Sequence, residues 1–97
     1  MFVEIATIDV KPGDESVFER QVAQAVPVFL RAKGCHGVTL HRVVETPSTY
    51  QLFVQWETVE NHMVDFRESA DFQIWRTLVG PHFASPPRVI HVHQVKF

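Results

Sequence analysis

The order of strand-like and helical segments predicts an α+β domain of ferredoxin-like β-α-β-β-α-β plan, with its helices on one face of a four-stranded antiparallel sheet. Three observations lead there. Apolar residues at both parities between Phe2 and Val10 mark a strand covered on both faces. Phe18, Val22, Ala25, Val26, Phe29 and Leu30 then recur at helical spacing. Two alternating runs, Val38 to Glu45 and Tyr50 to Trp56, are joined by Thr46-Pro47-Ser48 and read as a hairpin.

The first strand is broken by Lys11-Pro12-Gly13-Asp14, and the helix beyond it stops at Gly34, which suits a left-handed terminus. Pro27 removes the bond to the Ala23 carbonyl, so a kink or a division of the helix is expected there. Along the third strand Tyr50, Leu52, Val54 and Trp56 share one face and Gln51 and Gln55 the other, where Phe53 is the apolar exception. Thr58 is placed to cap a helix running through Arg67, and Ser69 a second from Ala70 to Val79, ended by Gly80-Pro81. Met63, Phe66, Phe72, Trp75 and Leu78 or Val79 supply the inner faces, and Arg88 to Phe97 closes the chain as a strand. A single domain spans 1–97.

Helices cover only one face of such a sheet. The other carries Phe53 and some of the alternating apolar residues of the first and last strands, more than a monomer usually leaves in water. Pairing two sheets face to face buries that area, so the expectation is a homodimer with C2 symmetry, closed into a dimeric α+β barrel.

Composition narrows the partners. With 45% hydrophobic and 21% charged residues the chain is ordinary globular material. Nine basic residues, scattered singly under a net charge of −2, give no stripe for phosphates, and nucleic-acid binding is not expected. No segment approaches about 18 apolar residues and no signal-like leader is seen, so no membrane attachment and a cytoplasmic location are expected. Cys35 stands alone and cannot close an internal disulfide.

His91 and His93 lie two apart on one strand and can present two imidazoles to a pocket as base, donor or ligand, or simply decorate the sheet. A metal would need a third ligand, His41 or His82, and no carboxylate in that strand completes a facial triad. Arg67 and Arg76 can stabilise an oxyanion or clamp a carboxylate, unless Glu68 and Asp71 pair with them on the surface. Trp56, Phe66, Phe72 and Trp75 serve as core, as pocket wall, or as both. Tyr50 offers the one phenolic hydroxyl, and His62 and His82 are expected at the surface.

Phe53-Val54-Gln55-Trp56-Glu57, Ser69-x-x-Phe72 and the final Val89-Ile90-His91 together resemble the antibiotic biosynthesis monooxygenase family of the dimeric α+β barrel superfamily, and the likeness spans essentially the whole chain. The family's frequent His-x-x-Ser-x-His-Phe run is represented by Phe66-Arg67-Glu68-Ser69-Ala70-Asp71-Phe72, with neither histidine. The resemblance implies a pocket between sheet and helices for a small aromatic or polycyclic phenol, oxidised by molecular oxygen with no bound cofactor. Such chemistry requires a base, an oxyanion donor and a dry cavity, for which His91, His93 and Arg67 are the candidates. Tyr50, Trp56, Phe66, Phe72 and Trp75 are the substrate-binding candidates. Two other readings stand beside it: a non-catalytic dimer that binds a hydrophobic metabolite or serves a stress role, and a haem-degrading relative. Haem fits less well, because the helix from Phe72 to Val79 carries no histidine to bind iron.

Overall fold

Alternation along the first and third strands decides how the sheet is laid. In the computed structural model, which describes residues 1–97, the elements are β1 (Phe2–Asp9), α1 (Glu15–Leu30), β2 (Cys35–Arg42), β3 (Thr49–Trp56), a π-helical turn (Asn61–Phe66), α2 (Ala70–Val79), a 3-10 turn (Gly80–His82) and β4 (Arg88–Val92). The strands form one antiparallel sheet in the order β2-β3-β1-β4, the ferredoxin-like arrangement. Glu4, Ala6 and Ile8 of β1 and Tyr50, Leu52, Val54 and Trp56 of β3 face the helices and are buried. Phe18, Val22, Ala25, Val28 and Phe29 of α1 close over them. Each fully buried large side chain contributes roughly 1.5–3 kcal/mol of transfer free energy.

Three expectations need correction. Leu30 is 54% exposed and Val28 replaces it in the core, because Leu30 lies about 120° round the helix from Phe18 whereas Val28 lies about 80° round on the other side. Pro27 does not divide α1: Ala23 and Pro27 are both exposed, so water can satisfy the carbonyl that loses its partner and the helix continues to Leu30. The last strand ends at Val92 and not at Phe97. Val92 pairs with Val3 at the very start of β1, which leaves almost no backbone for later residues to join.

Around residue 60 the chain turns more widely than expected. Thr58 Oγ1 accepts from the Asn61 N–H at 3.1 Å, while Asn61 Oδ1 accepts from the Thr58 N–H at 3.1 Å. The Arg67 N–H then reaches back five residues to the His62 carbonyl at 3.1 Å, the signature of a π-turn. Gly34 holds φ +77°, and a Cβ there would sit 2.1 Å from Asn61 Oδ1, so glycine is required both for the backbone and for the close approach. Ser69 caps α2 as expected, its Oγ accepting from the Phe72 N–H at 3.2 Å. On the helix-free face Ile90 and Val92 are 57% and 38% exposed, beside the half-buried Val3, Ile5 and Phe53.

Candidate functional site

Short β4 and the loop after α2 leave a gap on the helix face of the sheet. It forms a groove of about 1280 Å³ between the β1–β4 edge, the π-turn and α2, with residues 80–87 at one end. Glu4, Leu52, Val89 and His91 come from the sheet, His62, Met63 and Arg67 from the π-turn, and Phe72, Trp75 and Arg76 from α2.

Glu4 lies at the base of this groove. It occupies a core-facing position of β1, directly across from His91 in the β1–β4 register, and is only 5% exposed. The buried Trp56 donates its indole N–H to Glu4 Oε1 at 3.0 Å, so neither group is left unpartnered, a state that would cost about 1–3 kcal/mol. His62 stacks on the Trp56 ring at 5.4 Å and 14°, with its Nε2 3.3 Å from Glu4 Oε1. Its Nδ1 is hydrogen-bonded to His91 Nε2 at 2.8 Å. One proton is shared in that contact: one nitrogen donates and the other accepts.

Burial disfavours charge on both inner members. It drives the Glu4 carboxyl up from 4.5 to about 7, against smaller opposing pulls from the Trp56 N–H and the Arg67 charge. It pushes His62 down from 6.5 to about 4, with His91 and Arg67 adding to the effect. Near neutral pH, therefore, His62 is a neutral imidazole and Glu4 gains or loses a proton readily. The three residues form a line from the buried carboxyl to the groove, along which a proton can move by exchange of imidazole tautomers.

The structure brings together some of the sequence-derived candidates and separates others. His91, Arg67, Phe72 and Trp75 line the groove. His93 does not join His91: it lies beyond the end of β4, edge-on to Phe2 at 6.3 Å. Trp56 and Phe66 are buried behind the groove wall, where they orient His62 and pack on Phe29 and Phe72. Tyr50 is away from it, packed on Phe18 at 4.9 Å, its hydroxyl donating to Glu19 Oε2 at 2.5 Å. His62, expected at the surface, is 5% exposed at the centre of the site. His82 is half-buried and tied to Asp14 Oδ2 at 3.0 Å, while His41 lies against Phe53 on the opposite face of the sheet. Neither approaches the groove histidines as a third ligand.

Glu4 was not among the candidates, although its parity with Ala6 and Ile8 put a carboxylate in line with core residues. His62 had a comparable signal, four residues before the inward-facing Phe66. The expected surface pairing of Asp71 with Arg67 or Arg76 does not form. Asp71 instead takes a bidentate contact from Arg31 at 2.7 and 2.8 Å, across from α1 to α2. Arg67 and Arg76 both reach the ring of Phe72, at 5.9 and 6.0 Å from its centroid.

The fold, and part of the sequence, recur in known proteins. Residues 1–78 match the antibiotic biosynthesis monooxygenase family. Uncharacterized protein YczJ of Bacillus subtilis (strain 168) is 35% identical over 95 residues, which cover 98% of this chain and 100% of YczJ. A Bordetella bronchiseptica crystal structure that carries the family's name superposes with a TM-score of 0.97 at 62% identity, covering 98% of this chain and 97% of the other. A Nitrosomonas europaea structure of that name, 19% identical, shares the fold with a TM-score of 0.83 over 99% and 100% of the two chains. By the extent of these matches, the chain belongs to the antibiotic biosynthesis monooxygenase family.

Proposed function

We propose that this protein is a cytoplasmic, homodimeric, cofactor-independent monooxygenase that oxidises a phenol-type aromatic in the groove beside His91. The observation that carries the reading is the line Glu4, His62, His91, in which the outer imidazole meets the cavity and the inner carboxyl is held near neutrality. A phenol with a free para C–H places its hydroxyl at His91 Nδ1 and its ring against Phe72 and Trp75. His91 takes the phenolic proton and passes its Nε2 proton to His62 Nδ1. His62 in turn passes its Nε2 proton to the Glu4 carboxylate. The substrate becomes an anion and no imidazolium remains buried.

The phenolate is the electron donor and dioxygen the oxidant. Electron transfer and recombination place a peroxide on the para carbon, whose distal oxygen takes a proton from solvent water, while the stored proton leaves to solvent back along the line. Loss of the para proton then forms the second C=O as the O–O bond breaks and water departs. Phenol and dioxygen give quinone and water, with atoms and electrons balanced. The family membership and the names of its structural relatives support this reaction class.

The dimer follows from the apolar area on the helix-free face, where Ile90, Val92, Phe53, Val3 and Ile5 await a second sheet. Ile90→Glu should convert a dimer into a monomer in sedimentation, and a wild-type chain that is monomeric at micromolar concentration would remove the barrel. The chemistry is tested by aerobic incubation with 1-naphthols that carry hydrogen at the para carbon, without flavin or metal, while oxygen and quinone absorbance are followed. One dioxygen consumed per quinone is the expected result. Binding of these compounds with no oxygen consumption would leave a non-catalytic aromatic-binding protein.

A further inference from the structure

We propose that the substrate is an aromatic carboxylate, its ring against Phe72 and Trp75 and its carboxylate held by Arg67 and Arg76. This deepens the proposed oxygenase reading and rests on it for the identity of the groove as the reaction site.

Two guanidinium groups converge on one wall of the groove without a carboxylate of their own. Arg67 and Arg76 both line the cavity and both approach the Phe72 ring within 6.0 Å. The arginines that do form ion pairs are Arg31, Arg42 and Arg88, with Asp71, Glu19 and Asp9. The one side-chain contact of hydrogen-bond type made by Arg67 is to Met63 Sδ at 3.9 Å, and a thioether is a weak acceptor. Arg76 makes only its contact with Phe72.

Glu4 is the one acidic residue in the groove lining, buried at its base and committed to Trp56 and His62. The opening is thus positive, with two planar forks of N–H donors, each within 6.0 Å of the centre of the Phe72 ring. A neutral aromatic would leave these donors to water and the two like charges without relief. A carboxylate matches both the fork geometry and the charge. Its ring would extend from the arginines toward His91, which places recognition and proton removal at opposite ends of one molecule. For the same reason Arg67 binds the carboxylate here, in place of a developing oxyanion.

The test compares 5-hydroxy-2-naphthoate, whose hydroxyl and carboxylate sit on different rings and whose carbon para to the hydroxyl bears hydrogen, with its methyl ester, which keeps the rings and the hydroxyl and removes the charge. Tryptophan fluorescence titrations are run on the wild type, R67Q/R76Q and R67K/R76K. The acid should bind the wild type at least about tenfold more tightly than the ester. That preference should vanish in R67Q/R76Q, return in part in R67K/R76K, and weaken as salt rises from about 0.05 to about 0.5 M, while ester affinity stays level. Equal binding of acid and ester, no saturable binding of the acid, or a preference that survives in R67Q/R76Q would overturn the carboxylate subsite. Oxygen uptake on the same samples separates the two readings. Arginine-dependent binding of the acid, with no oxidation of any phenol, supports the subsite and overturns the oxygenase. Equal binding of acid and ester with oxidation of both does the reverse.

Discussion

His62 Nδ1 and His91 Nε2 stand 2.8 Å apart, and this contact couples His91, through His62, to the carboxyl of Glu4 at the base of the groove. It exists because the π-turn swings His62 under Trp56 while the β1–β4 register sets His91 beside Glu4.

If the two imidazoles act as one path, their removal should not be additive. His91→Ala should lower kcat by about 10²- to 10⁴-fold, with binding of an aromatic ligand retained. His62→Phe, which keeps a ring on Trp56, should lower it by a similar factor, and the double variant should be hardly worse than either single one. Steady-state kinetics with parallel binding titrations check this. Multiplying losses would show that the two residues serve separate steps.

The buried pair also imposes opposing pH dependences on stability. Glu4 is raised from 4.5 to about 7, so its contribution is full below 4.5 and is lost as pH climbs through 7. His62 is lowered from 6.5 to about 4, so its contribution is full above 6.5 and is lost as pH falls through 4. Between those limits the slopes, each about 1.4 kcal/mol per pH unit, offset one another. In its own profile Glu4→Gln, which keeps only the His62 slope, should therefore gain stability with rising pH from 4 to 6.5. His62→Gln should lose it from 4.5 to 7. Chemical denaturation across this range reads both slopes, and three parallel profiles would contradict the assignment.

Much of the fold was legible because period and punctuation agreed: the two-residue alternation of β3, the helical stripe of α1 and the Gly34 stop all reappear in the structure. The site was half legible. His91, Arg67, Phe72 and Trp75 could be placed from strand and helix phase, but His93 was lost because β4 runs out of partner at Val92. Met63 was expected inside on an α-helical phase, whereas the wider π-turn turns it toward the groove rim and brings His62 in. No local pattern distinguishes a π-turn from an α-turn. What selects it here is tertiary: Asn61 must fit against Gly34.

That dependence makes Gly34 a remote control on the site. Gly34→Ala would force a methyl group to 2.1 Å from Asn61 Oδ1 and require φ +77° of a residue with a side chain. The left-handed conformation alone costs roughly 1–2 kcal/mol, and displacement of Asn61 breaks its reciprocal bonds with Thr58. A loss of more than about 2 kcal/mol in denaturant titration is expected, together with reduced turnover as His62 leaves its register on Trp56. Wild-type stability in this variant would mean that the turn is not anchored through residue 34.

The most direct measurement is a titration by nuclear magnetic resonance of the Glu4 carboxyl carbon and the His62 ring nitrogens. A Glu4 midpoint near 7 and a His62 ring that stays neutral down to about pH 4 are expected. A carboxylate already ionised at 4.5 beside an imidazolium that persists above 6.5 would make the pair a fixed ion pair, with no place for a substrate proton, and would contradict the proton path.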